Sequence, residues 1–87
     1  MKQMTYEDGA RMRAIHVRLL DRRIEGAQTS NGEPMSLAAI ARTLDPPVSP
    51  AMMTMVVKND VVSERVRAAI ERELGETYWF IKGRRVA

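Results

Sequence analysis

Apolar positions recur at helical spacing in four stretches of the chain, separated by clusters of glycine, proline and small polar residues. From Tyr6 to Glu25 there is no proline. Met12, Ile15 and Leu19 follow i, i+3, i+7 there, beside Val17, Leu20 and Ile24, which predicts a long amphipathic helix over 6–25. Thr5 is its expected N-cap, with Asp8 an approximate capping-box partner. The other face carries Glu7, Arg11, Arg18, Arg22 and Glu25, with Glu7 and Arg11 at the favourable acid-then-base spacing, and reads as a solvated surface. Two glycines, a proline and several small polar residues then fill 26–35, a pattern that predicts a mobile loop, long for a helix–helix connection.

Ser36 suits the N-cap of a short second helix in which Leu37, Ile40, Ala41 and Leu44 form one stripe, and Pro46 and Pro47 must end it. Ser49-Pro50 pairs an N-cap with proline at the first helical position, predicting a third helix over 50–57 with Met53, Val56 and Val57 inward. Lys58-Asn59-Asp60 breaks that pattern. Asp60 or Ser63 can cap a fourth helix over 61–74, with Val66, Ala69, Ile70 and Leu74 buried and Arg67 paired with Glu71 outside. Gly75 is the expected stop signal, Tyr78 to Ile81 should fold back as a turn or short helix over the core, and 82–87 form a basic tail. The expected fold is all-α, a single compact domain of four to five helices spanning 1–87.

Composition narrows the function classes. The 87 residues include seven Met and no Cys, so neither disulfides nor thiolate-bound metal can supplement the core. With one histidine, His16, no Walker or dinucleotide glycine motif and no metal-ligand spacing, neither an enzyme nor a bound cofactor or metal is expected. No apolar run reaches the roughly 20 residues of a membrane span, and the first residues do not resemble a signal peptide, so a cytoplasmic location without membrane contact is expected. Net charge is +3 with pI about 9.8, which permits an anionic partner. The surplus is uneven: 36–74 hold five basic and five acidic residues, whereas 75–87 hold three and one.

The spacing of the second and third helices is that of a helix-turn-helix over 36–57, with small Ala41 allowing them to cross closely and Met53 and Val56 facing Ile40 and Leu44. Ser36 to Ala41, Val48 to Met53, Ala69 to Gly75 and the closing Tyr78-Trp79-Phe80-Ile81 together resemble the lambda-repressor-like helix-turn-helix proteins, in particular the small Ner-like regulators of Mu-type transposing phages. That resemblance implies a third helix that enters the DNA major groove, a dimer on a two-fold operator and repression of transcription. The turn Asp45 to Val48 is longer than the family's by about two residues.

On this reading Ser49, Pro50, Ala51, Met52, Thr54, Met55 and Lys58 face the groove. None is Arg, Gln or Asn, so apolar contacts to thymine methyls, hydroxyl bonds and DNA shape would carry the readout. Ser36, Arg42, Lys82, Arg84 and Arg85 are candidates for phosphate contacts. The expected partners are double-stranded DNA and a second copy, joined through the long first helix or the tail. The alternative is a small phage-encoded module that binds a host or phage protein through its Met-rich helix, and a toxin–antitoxin partner is a third reading.

Overall fold

The computed structural model describes residues 6–81 together with Arg84 and Arg85. Four helices form the body: α1 (Tyr6–Ile24), α2 (Leu37–Arg42), α3 (Pro50–Val57) and α4 (Glu64–Leu74). A two-residue ladder follows, β1 (Phe80–Ile81) antiparallel to β2 (Arg84–Arg85), pairing Phe80 with Arg85 and Ile81 with Arg84. The segment 78–81 therefore runs as a turn into a strand and not as a helix. Thr5 lies outside the described residues. Among the described residues no helix is long and apolar enough to cross a membrane.

Local chemistry sets the helix ends. Serine side chains cap three N-termini: Ser36 Oγ accepts from the Ala39 amide at 3.0 Å, Ser49 Oγ from Met52 at 3.1 Å and Ser63 Oγ from Val66 at 3.4 Å. Ser63 thereby starts α4 at Glu64, three residues later than the earliest start that the sequence allows. The second helix stops at Arg42, before the expected Leu44, because Thr43 turns back on the last turn, its hydroxyl and its amide both donating to the Ile40 carbonyl. At the end of α1, the Gly26 amide bonds Arg23 O and the Ala27 amide bonds Arg22 O. This is a Schellman closure that needs the positive φ of 78° at Gly26. Asn59, at φ 64°, closes α3 in the same way.

The core joins Ile15 and Leu19 of α1 to Met35, Ile40, Ala41 and Leu44, to Met53, Val56 and Val57 of α3, and to Val66, Ala69, Ile70 and Leu74 of α4. α2 packs on α3 and α4, and α1 packs on the same two helices. Ala41 is fully buried between them, and its carbonyl accepts from the Val48 amide after the turn, which contains a cis Asp45–Pro46 bond.

Two arginines expected on solvated faces are inside. Arg67 has no exposed surface, and Arg11 is 9% exposed. Both guanidiniums lie over the ring of buried Trp79, their centres 5.5 Å (Arg11) and 5.3 Å (Arg67) from its centroid. A buried charge is tolerable only when paired and hydrogen-bonded. Arg11 donates to Asp8 at 2.5 Å and to the Val57 carbonyl at 3.3 Å, and Arg67 donates to Asn59 Oδ1 at 2.6 Å. Arg67, expected on the outer face of α4, is instead buried, while Glu71 accepts the backbone amides of Tyr78 at 2.8 Å and Trp79 at 3.4 Å. Together these bonds seat Trp79 against α1, α3 and α4.

The long loop expected over 26–35 is folded back on the helices. The Thr29 amide donates to the Glu33 carbonyl and the Gly32 amide to the Thr29 carbonyl, closing a turn, while Gln28 bridges Pro34 and Met35 is buried. Ser30 donates its amide and hydroxyl to Glu73 at 2.7 and 3.1 Å, and Asn31 Nδ2 donates to the Arg42 carbonyl at 2.8 Å, capping the end of α2. The segment is a structured excursion clamped to α2 and α4, not a free linker.

Truncating Trp79→Ala removes a ring that three helices share and strands two guanidiniums, so a loss of about 3–5 kcal/mol is expected in urea unfolding. Ala41→Leu overpacks the helix crossing and is expected to cost about 1–3 kcal/mol in the same measurement.

Candidate nucleic-acid interface

On α3, Met53, Val56 and Val57 are buried while Pro50, Ala51, Thr54 and Met55 are exposed, so the helix shows one continuous outer arc. Ser49 stands exposed at its N-cap and Lys58 half-buried at its C-cap. Met52 leans against the core at the edge of this arc. The methionines thus divide into one core residue, one edge residue and Met55 alone outside, which leaves little of the Met-rich surface expected for a protein partner.

The polar groups of the arc already have local bonds. Thr54 Oγ1 donates to the Pro50 carbonyl at 3.3 Å and Ser49 Oγ caps Met52, although the Ser49 hydroxyl proton remains free to donate. Lys58 Nζ sits 3.7 Å from Asp60, an exposed pair of little net value that a phosphate could displace.

The remaining candidates are dispersed. Ser36 caps the start of α2, while Arg42 at its other end grips Glu33 through Nε at 2.8 Å and Nη2 at 2.7 Å. This hydrogen bond to Arg42 holds the Glu33 carboxyl below the usual glutamate range and pushes Arg42 up. Its charge is committed to the loop. Arg84 and Arg85 lie on β2, and Lys82 lies outside the described residues.

Sequence reasoning missed the residues that brace this surface. Arg65 Nη2 donates to the Pro46 carbonyl, tying the first turn of α4 to the turn between α2 and α3. Arg72 reaches Thr43 Oγ1 at 3.4 Å and Glu73 at 3.2 Å. Helical spacing gives no signal for the Arg65–Pro46 and Arg72–Thr43 bonds, whose acceptors lie 19 and 29 residues away. Among the described residues no group of His, Cys, Asp or Glu could hold a metal ion. No protein-family model, curated protein or solved structure matches this chain.

The loop clamp has a measurable acid limit. Burial pushes the Glu73 carboxyl up, but hydrogen bonds from Ser30 and Arg72 outweigh it and leave the group below its ordinary value. Stability from a lowered carboxylate is complete above its unfolded value and lost as pH falls through the folded one. The Ser30 amide proton resonance is therefore expected to titrate with a midpoint below the roughly 4.3 of a free glutamate. A midpoint at or above that value in an NMR titration contradicts the clamp.

Proposed function

We propose that the chain is a sequence-specific regulator that binds double-stranded DNA through α3, a helix-turn-helix protein of the lambda-repressor-like type, most like the Ner-like phage repressors. It acts as a cytoplasmic homodimer at a promoter, encoded by a phage or prophage. One observation carries the reading: α3 presents Ser49, Pro50, Ala51, Thr54, Met55 and Lys58 on one outer arc, while its opposite side is fixed on α2 and α4 across Ala41. An eight-residue helix so presented suits insertion into a groove about 12 Å wide.

The chemistry of the arc defines how it would read DNA. Its apolar groups suit thymine methyls, and its hydroxyls and one ammonium supply the polar contacts. No bidentate donor stands on the arc, so each base pair contributes modestly and two half-sites are needed for affinity. Phosphate contacts come from Lys58 and from Lys82, Arg84 and Arg85, since the segment 36–74 is electrically neutral and Arg42 is held by Glu33.

Fluorescence anisotropy with duplex DNA from upstream of the gene tests this reading. Thr54→Glu combined with Lys58→Glu is expected to weaken binding at least about tenfold while leaving the fold intact, and raising salt from 50 to 200 mM to weaken wild-type binding by orders of magnitude. Unchanged affinity in the double variant, with a normal unfolding curve, contradicts α3 as the reading element.

A further inference from the structure

Helix α1 has two apolar faces. Met12, Ile15 and Leu19 face the body of the domain, and Val17, Leu20 and Ile24 face away from it at 54, 58 and 75% exposure. Their spacing is i, i+3, i+7, the first and fourth positions of a heptad, here called a and d. Val17 and Ile24 occupy a and Leu20 occupies d. β-Branched residues at a with leucine at d are the combination that favours a parallel two-stranded coiled coil.

The flanking charges select the same arrangement. His16 and Arg23 hold the g positions and Asp21 holds e, all three exposed. In a parallel pair each g residue meets the e residue five positions later on the other helix, so His16 faces Asp21 of the partner subunit, twice by symmetry. In an antiparallel pair e meets e and g meets g, which sets Asp21 against itself and the basic residues against one another. A groove of about 290 Å³ lies on the g side, lined by His16, Leu19, Leu20, Arg23, Ser36 and Leu37, and its basic rim matches the acidic approach of Asp21 of the partner subunit. Arg13 at the preceding d position marks where two helices would diverge.

We propose that the outer face of α1 pairs in parallel with α1 of a second copy, Val17, Leu20 and Ile24 each packing against their own equivalents. This names the surface of the dimer proposed above and rests on that reading only for its purpose, because the pairing itself needs no DNA. Three apolar side chains per subunit fall short of the roughly 1,200 Å² at which stable interfaces begin, so the pair is a weak one that two adjacent half-sites on DNA would strengthen.

The absence of cysteine makes a clean test. Single variants Val17→Cys, Leu20→Cys and Ile24→Cys are oxidised without DNA, with exposed Ala68→Cys on α4 as the collision control and thermal unfolding as the check on folding. Parallel pairing predicts that each α1 variant forms its own disulfide dimer at least about tenfold faster than the control, since only neighbouring Cα atoms within roughly 7 Å can be bridged. It also predicts that Val17→Cys mixed with Ile24→Cys gives mainly like-with-like products. Adding Asp21→Lys to Leu20→Cys should slow crosslinking, and adding His16→Glu to that variant should restore it. Preferential Val17–Ile24 crosslinks, rates equal to the control, or a monomer that instead pellets with anionic vesicles through Leu20 each overturn the proposal. DNA binding measured on the same variants keeps its failure separate from that of the α3 reading.

Discussion

Trp79 and the two guanidiniums over it are the contact on which the remaining architecture depends. An 87-residue chain with three kinds of aromatic residue in small number has few large side chains to fill its centre, and Trp79 is the largest that is fully buried. Its ring offers a face to both Arg11 and Arg67, and each guanidinium gains about 0.5–2 kcal/mol from that face when desolvated. Each must also be hydrogen-bonded, and beside the bond from Arg11 to Asp8 these bonds reach Val57 at the end of α3 and Asn59 just beyond it. The orientation of the proposed reading helix is thereby tied to the segment after α4. Tyr78 adds an edge-to-face contact with Trp79 at 6.3 Å, and burial together with its bond to Glu76 pushes its phenol well above the usual tyrosine range.

Periodicity and capping chemistry foretold the four helices because both are local. Ser49-Pro50 announced α3 within a residue, and the stripe of α4 named its four apolar core residues. What periodicity missed depends on partners far along the chain. Arg11 and Arg67 looked like solvated charges because their burial depends on a tryptophan 68 and 12 residues away, and the loop looked mobile because Glu73, its anchor, lies 43 residues from Ser30. The second apolar face of α1 was visible as residues but was merged with the first. The helical angles place Val17, Leu20 and Ile24 opposite Ile15 and Leu19, a separation that the sequence contains.

For the proposed interface, the outer arc of α3 could be read from the sequence almost completely, with Met52 the residue that leans inward. The phosphate candidates were less legible, because an arginine's availability depends on which carboxylate reaches it first. Arg42 is held by Glu33 and Arg65 by a backbone carbonyl, so the neutral core segment offers little free positive charge, and the proposed base contacts and proposed backbone contacts fall to different parts of the chain. Such a division suits a protein that gains affinity from its second copy and its basic end, and discrimination from a mainly apolar helix.

The central claim is that the buried arginines and Trp79 act as one energetic unit. A double-mutant cycle with Arg67→Met and Trp79→Leu, read by urea unfolding, measures it directly. The account predicts a coupling of about 1–2 kcal/mol between the two sites. Losses that add to within about 0.3 kcal/mol would show that the ring and the guanidinium stabilise the fold independently, and would contradict it.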